Sequence, residues 1–487
     1  MKYVSVSQMQ AIEREADASG LNYDQMMENA GSGLAEVILE DYGYLAEDGA
    51  LGLVGSGNNG GDTLVALARL AQEGWLASAA VLRSRPPRDP LIARLKDAGG
   101  VVHDFSQQPD FEALGALVEK HALLLDGVLG TGTRLPLRAE LAALLQFLRR
   151  HVLENGDPPL VIAVDCPSGV DCDTGEAAPQ TIPATRTITM AAVKHGLFKF
   201  PAYNLVGDLD VVEIGLPAGG EGLESWRAVQ SFIPDESWVR RVMPPRPLDA
   251  HKGTFGTALI VAGSASFTGA ALLAGEAAYR SGAGLVTLAV PEMLHPALAG
   301  QLPEATWLLL PQEEGAIAGR ASQIVLENLG RATALLAGPG FGLAETTAKF
   351  LAGLLTTGRT SPDLPPVVID ADGLKLLKQT PDWTKRLPAP AVLTPHPGEM
   401  SVLTGLPVGE IQSDRLEIAR AYSRDWGHVI VLKGAFTIVA APDGQTAVIP
   451  VASPALARAG TGDVLAGLIV GLRAQGVPGF EAAVAGC

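Results

Sequence analysis

The sequence is poor in cysteine, in basic charge and in long apolar runs, and each shortage excludes something. Three cysteines in 487 residues, Cys166, Cys172 and Cys487, supply neither a disulfide framework nor zinc-ligand spacing, so a reducing cytoplasm is the expected setting. Lysine and arginine total 36 against 53 acidic residues, a net charge of −17. That balance argues against nucleic acid or an anionic membrane as a bulk partner. An anionic small ligand would need local positive potential from helix N-termini, a few Lys or Arg, and metal ions. No uninterrupted apolar run is long enough to span a membrane, and Met1 to Gln8 has no signal-type apolar core. What is present, 47% hydrophobic and 18% charged residues, reads as compact and globular, and the length predicts two α/β domains. The last residues, Glu481 to Cys487, have a helical pattern, which leaves a further C-terminal piece open.

The chain is organised around Ala459 to Leu472. Gly460 and Gly462 carry no side chains, so their backbone N–H groups can lie against a ligand, and the apolar run after them has helical length. Asp463 therefore falls at a helix N-terminus. The motif alone leaves two readings open. Asp463 is an N-cap, or it is a base that takes a proton from a hydroxyl while the N–H groups hold a transferring phosphoryl group.

In the first half, Met9 to Ala18 and Tyr23 to Leu39 have helical spacing. The strand Leu51 to Gly55 leads into Gly55-Ser56-Gly57-Asn58-Asn59-Gly60-Gly61-Asp62, and a helix is expected from Thr63 to Gln72. This is G-x-G-x-x-G between strand and helix, the context of a dinucleotide phosphate loop. The next strand, Ala77 to Leu82, ends in Arg83-Ser84-Arg85 rather than in an acidic ribose clamp. Arg there can face a phosphate, although base rates favour solvated loop charges. Two further strands, Leu123 to Asp126 and Leu160 to Asp165, both end in Asp at the ligand-binding edge of a parallel sheet. Asn59, Asp126 and Ser168 offer oxygens from separate loops with one net negative charge, a set suited to a monovalent cation, which leaves Asp165 as acid/base candidate.

Met27 to Gly31, Asn58 to Asp62, Asp126 with Gly130-Thr131-Gly132, Asp165 to Gly169 and Lys194-His195-Gly196 together resemble the YjeF N-terminal domain, the NAD(P)H-hydrate epimerase family, over residues 1–216. The resemblance implies a Rossmann-like α/β/α domain. It places potassium on Asn59, Asp126 and Ser168. It places the hydrate on Asn58, Asn59, Gly60, Gly61, Asp62, Gly130, Thr131, Gly132, Thr133, Arg134, Leu135, Pro136 and Asp165. Thr63 departs from the family's usual glycine, which predicts crowding of the nucleotide loop. Cys166 and Cys172 have no basic sequence neighbour and read as packing residues.

Residues 217–235, opening with a Pro- and Gly-rich run, read as a linker. The strand pattern then restarts, with strand ends again carrying glycines and polar residues: Gly338 to Gly342, Asp370 to Gly373, Pro395 to Glu399 and Lys433-Gly434. With His251-Lys252-Gly253, Gly263-Ser264, Gly269-Ala270 and Gly460 to Asp463, residues 236–487 are similar to the ribokinase-like fold, and within it to the ADP/ATP-dependent NAD(P)H-hydrate dehydratases. The resemblance places the hydrate on Ala270, Gly342, His396 and Asp463, and ADP on Lys433, Gly434, Ala435, Phe436, Thr437 and Gly462. It favours ADP as phosphoryl donor, with Mg²⁺. Glu399 either supports that ion through water or is a first-turn carboxylate of the helix that follows. His396-Pro397-Gly398-Glu399 stands where many kinases of this fold carry Asn-x-x-Glu.

The function implied is repair of the hydrates NADHX and NADPHX. Asp165 serves epimerisation, and Asp463 serves ADP-driven dehydration to NAD(P)H with release of AMP and phosphate. No nucleic acid or membrane partner is expected, and a homo-oligomer is. The rivals are a small-molecule kinase with a regulatory N-terminal domain, and a non-catalytic nucleotide-binding or scaffold module.

Overall fold

Strands buried on both faces are apolar throughout rather than alternating, and the runs of Val, Leu, Ile and Ala in this chain become such strands. In Ala50–Val54 and Leu123–Gly127 every residue is buried. The computed structural model describes residues 1–107, 110–355 and 364–487, in two units, Met1–Val229 and Gln230–Cys487.

The first unit holds a sheet of seven strands. Their order is Val101–Asp104, Ala77–Val81, Ala50–Val54, Leu123–Gly127, Leu160–Val164, Arg186–Met190 and Asp208–Val212. Every neighbouring pair is parallel. The chain winds outward from Ala50–Val54 in one direction and from Leu123–Gly127 in the other. The crevice between their carboxyl ends is the topological switch point, where open α/β sheets bind ligands. Alternate residues of the central strand enter different cores. Ala50 and Val54 pack with the helices Val6–Ala18, Tyr23–Tyr42 and Asn58–Gln72, whereas Leu51 and Leu53 pack with Phe111–Lys120 and Ala139–Glu154. Helices thus cover both faces.

The second unit has a sheet of ten strands in which Ile438–Ala440 alone runs antiparallel to its neighbours. Its own switch point lies between Thr257–Val261 and Ala334–Ala337. Ala258 and Ile260 join the core beneath the helices Gly269–Arg280 and Thr461–Ala474, while Leu259 and Val261 join the core on the other face. Gly467 and Gly471 bring the first two helices together. A Cβ on Gly467 would lie 2.3 Å from the Ala274 carbonyl oxygen, and one on Gly471 2.1 Å from Ser281 Oγ.

The 217–235 stretch is not a featureless linker. Glu224–Ala228 is helical, and Leu223 and Val229 are buried in the first unit's core. The apolar residues interleaved after the Gly-rich run account for this, since they have a core to join. Most strands that sequence pattern missed are short or at sheet edges; Arg186–Met190 lies inside its sheet, but Thr187 and Thr189 break up the apolar run that marks the others. Val101–Asp104 has no fully buried residue, and Asp208–Val212 has one.

Candidate functional site

In the first unit the helix begins at Asn58, not Thr63, so Asn58 to Asp62 form its first turn rather than a preceding loop. Gly60 makes this fit, because a Cβ there would lie 2.2 Å from the Gly55 carbonyl oxygen. The N–H groups of Asn58, Asn59 and Gly60 have no earlier helical carbonyls to bond, whereas the Gly61 N–H already donates to the Gly57 carbonyl at 3.2 Å. Thr63 does not crowd it. Its side chain points into the sheet, its hydroxyl donates to the Asn59 carbonyl at 2.7 Å, and glycines at 52 and 127 leave the space it fills.

Asp165 adopts φ +65°, a left-handed conformation rare for a non-glycine residue and often found at functional sites. Its Oδ1 accepts from Thr189 Oγ1 at 2.9 Å, from the Met190 N–H at 3.0 Å and from the Lys194 ammonium. Its Oδ2 accepts no hydrogen bond from a described residue. Lys194 is almost wholly buried, and it also donates to Thr189 Oγ1 at 3.0 Å and to the Met190 carbonyl at 2.8 Å. A cavity of ≈ 100 Å³ opens here, lined among others by Asn58, Asn59, Asp62, Thr131, Asp165 and Lys194. Burial first, and then the charges of Asp165 and Glu13, hold the Asp62 carboxyl well above the usual carboxylate range, so its protonated form is favoured. Glu13, also on this cavity, is raised by burial against the opposing pull of Lys194.

Asn59 and Ser168 converge on the backbone of Leu129, and Asp126 joins them through Ser168. Asn59 Nδ2 donates to the Leu129 carbonyl at 3.1 Å and to the Val164 carbonyl at 2.5 Å. Ser168 Oγ accepts from the Leu129 N–H at 2.8 Å, and Asp126 accepts from the Ser168 hydroxyl and N–H at 2.5 and 2.8 Å. Burial raises the Asp126 carboxyl against these hydrogen bonds. Gly130 stands beside the Asn59 amide, where a Cβ would lie 2.4 Å from Oδ1. From the 130–136 loop only Thr131 lines the Asp165 cavity. Thr133 closes a turn onto the Gly130 carbonyl, and Arg134, Leu135 and Pro136 are not among the lining residues. Cys166 and Cys172 are both buried, and the thiol of Cys172, then burial, pushes the Cys166 thiol well up.

Of the two arginines after the second strand, Arg85 is not solvated. It pairs with Asp89 at 2.6 Å, with both side chains under a tenth exposed, and donates to the Gly55 carbonyl at 2.8 Å. It therefore braces the glycine turn. Arg85→Met, which leaves Asp89 buried and unpaired, is expected to cost about 3 kcal/mol of unfolding free energy, read from the urea midpoint of the first unit.

In the second unit Gly460 takes φ +90° as N-cap of the helix Thr461–Ala474, and Asp463 lies in its first turn. Asp463 is not the cap, and it accepts no hydrogen bond from a described residue. Around it stand Asp370, Lys433 and Asp372. Asp370 is buried and accepts from Thr394 Oγ1 at 2.6 Å and Lys433 Nζ at 2.7 Å. Lys433 Nζ also lies 3.7 Å from Glu399 Oε2. Burial lowers the Lys433 ammonium, but Asp370 and Glu399 more than offset this and leave it raised. Burial first, and then Asp370, push the Asp463 carboxyl up to about 6, against Lys433. Gly462 borders this corner, where a Cβ would meet only ordinary contacts, the nearest 3.6 Å away at Lys433 Nζ.

His396 caps the helix Pro397–Thr404. Its Nδ1 accepts from the Gly398 and Glu399 N–H groups at 3.0 and 3.3 Å, the role an Asn oxygen plays at an N-cap. The ring proton therefore sits on Nε2, and the ring is 52% exposed. Glu399 is buried and accepts from the His396 N–H at 2.9 Å, so its carboxylate is a helix-cap and Lys433 partner. The Gly342 N–H donates to Asp372 at 3.0 Å, and Ala270 packs at the start of its helix. In the 433–437 turn Lys433 points to the carboxylates. Arg415 holds the Ala435 and Leu432 carbonyls at 2.5 and 2.9 Å, Phe436 is buried, and the Thr437 hydroxyl donates to the Gly434 carbonyl.

Lys194 and Glu13 are the site residues that sequence reasoning did not assign. Lys194 stood inside a quoted motif, whereas Glu13 sits on a helical face like any other polar residue.

Two family models match in order: a YjeF-related protein N-terminus over residues 23–196 and an NAD(P)H-hydrate dehydratase over 258–487. A bifunctional NAD(P)H-hydrate repair enzyme from Moorella thermoacetica is 37% identical over 94% of this chain and 85% of its own length. One from Salinibacter ruber is 38% identical over 98% and 88%. Among solved structures, an ADP/ATP-dependent NAD(P)H-hydrate dehydratase from Bacillus subtilis is 36% identical, covering 52% of this chain and 85% of that one with a TM-score of 0.43. Identity at this level across both halves, with the two family domains in the same order, means that the chain belongs to the bifunctional NAD(P)H-hydrate repair enzymes.

Proposed function

We propose that the first unit interconverts (R)- and (S)-NAD(P)HX and that the second dehydrates the S form at the expense of ADP. The observation that carries this is the pair of differently tuned carboxylate sites, each at the carboxyl-end edge of its own unit's sheet. In the first, the ion-paired Asp165 faces the Asp62 carboxyl, whose protonated form burial favours. Epimerisation requires a bond at the hydrated carbon to break and re-form on the other face. A neutral acid and a carboxylate in one cavity can give a proton to the leaving oxygen and take it back. Asn59, Asp126 and Ser168, with the Leu129 and Val164 carbonyls, form an all-oxygen set once the Asn59 amide presents Oδ1. That set fits potassium, which would supply positive charge beside the loops that carry the substrate.

In the second unit Asp463 takes the proton of the substrate hydroxyl as that oxygen attacks the terminal phosphorus of ADP. The O–P bond forms, AMP leaves, and elimination of phosphate with loss of a ring proton restores the dihydropyridine. The N–H groups beyond Gly460 face the transferring phosphoryl group. Among the described residues no cluster of His, Cys, Asp and Glu forms a metal cage, and Lys433 already neutralises Asp370. This fits a Mg²⁺ that arrives on the nucleotide phosphates, where it would neutralise developing charge. ADP as donor, cytoplasmic location and a homo-oligomeric assembly are carried as parts of this reading, the last checked by light scattering.

Mixed R and S NADHX with ADP, Mg²⁺ and K⁺ should return fully to NADH absorbance. A stall at the S fraction would remove the epimerase assignment, and no conversion with ADP or ATP would remove the whole reading. A base that titrates at about 6 also sets a pH profile. Dehydratase kcat/KM should be flat above that value and fall about tenfold per unit below it, because the protonated Asp463 cannot accept.

A further inference from the structure

A second and larger cavity of the first unit, ≈ 310 Å³, lies away from Asp165 and takes no part in the chemistry above. It sits beyond the carboxyl ends of the three strands on the other side of the switch point. Ser56 follows Ala50–Val54, Leu82 to Ser84 follow Ala77–Val81, and Phe105 and Ser106 follow Val101–Asp104. The helices Phe111–Lys120 and Ala139–Glu154 roof it. Its lining is divided in character. Leu82, Phe105, Phe111 and Leu114 make an apolar, partly aromatic wall, while Arg83 and Arg138 bring two guanidinium groups. Neither guanidinium has an ion-pair or hydrogen-bond partner among the described residues. The carboxylates facing them have other roles or positions. Asp110 caps the helix it precedes through the Ala113 N–H at 3.0 Å, and Glu140 lies in the first turn of Ala139–Glu154.

The two cavities of this unit flank one helix N-terminus. Ser56 lines the larger, and Asn58 and Asn59, two and three residues on, line the one at Asp165. In doubly wound sheets a dinucleotide crosses such a turn with its pyrophosphate, and its adenosine half lies at the ends of the first, second and third strands. An acidic residue at the end of the second strand holds a free ribose 2′-hydroxyl, and arginine there accommodates a 2′-phosphate. Here that position is Arg83-Ser84.

We propose that this cavity receives the adenosine 2′-phosphate end of the substrate, and that Arg83, with Arg138 across the opening, makes the epimerase select NADPHX over NADHX. This rests on the epimerase reading, extended to the far end of the dinucleotide. The apolar wall offers the adenine a face to stack on, and the unpaired guanidiniums offer the dianion charge-assisted hydrogen bonds.

The test uses the full chain. Epimerisation of (R)-NADPHX and (R)-NADHX is followed without ADP by chromatographic separation of the epimers. The kcat/KM ratio should favour NADPHX on the order of tenfold to a hundredfold, and Arg83→Gln should bring that ratio close to one. A ratio near one in the parent, or a ratio that Arg83→Gln leaves intact, overturns the proposal. Hydrogen exchange with 2′,5′-ADP gives an answer independent of activity. Protection of the segments at residues 82–84 and 105–106, lost in Arg83→Gln and not produced by 5′-AMP, is expected. Protection confined to 433–437 and 460–463 overturns it. Protection at 82–84 in a chain that epimerises neither substrate would sink the epimerase reading and keep the 2′-phosphonucleotide site.

Discussion

Asp463→Asn is expected to lower kcat for ADP-driven dehydration of (S)-NADHX by about 10²–10⁴-fold, with a far smaller change in KM, because the variant keeps the size and polarity of the side chain and loses the base. Steady-state kinetics on the S epimer alone would show this, and full activity in the variant would remove the assignment. The same substitution carries a stability signature. The Asp463 carboxyl is raised to about 6 in the fold, so ionising it disfavours the folded state. That penalty is complete above the folded value, shrinks as pH falls through it, and is gone below the ordinary carboxylate value where both states are protonated. Asp463→Asn should therefore raise Tm at pH 8 and not at pH 3.5. A residue that costs stability and is nevertheless left without a hydrogen bond is held for a purpose other than folding.

Asp165→Asn should abolish epimerisation, a loss of about 10²–10⁴-fold, while leaving conversion of the S form with ADP intact. Mixed NADHX would then stall at its S fraction and finish only when parent enzyme is added. Substitution here has a second consequence. Lys194 is buried with Asp165 as its ion-pair partner, so removing the carboxylate charge strands an ammonium inside the unit. The companion variant Asp165→Asn with Lys194→Met relieves that charge. It should regain thermal stability without regaining epimerisation, which separates a role in chemistry from one in folding. Recovery of epimerisation in the double variant would overturn the acid/base role.

Much of the architecture was legible along the chain. Parallel strands buried on both faces are written as unbroken apolar runs, and their ends are marked by glycine and aspartate whatever surrounds them. That is why Asp126, Asp165 and Asp370 could be placed at strand ends, and why two sheets could be counted; Asp463 was placed by the glycine turn before an apolar helical run. The order of motifs identified both families. What sequence alone did not determine is which polar side chains turn inward. Arg85 has the composition of a solvated loop residue and is a buried brace, because Asp89 and the Gly55 carbonyl wait for it across a turn. Thr63 reads as an obstruction in the nucleotide loop and instead fills the space left by glycines on two neighbouring strands. Glu399 reads equally as a metal support or as a first-turn helix carboxylate, and its own helix cap and Lys433 hold it as the second. Lys194 gains its meaning only from Asp165, 29 residues earlier in the chain. Local pattern determines where strands and helix ends fall, since that depends on neighbours within a few residues. Whether a charge is paired, buried or free depends on partners brought from other strands, and only the tertiary structure decides that.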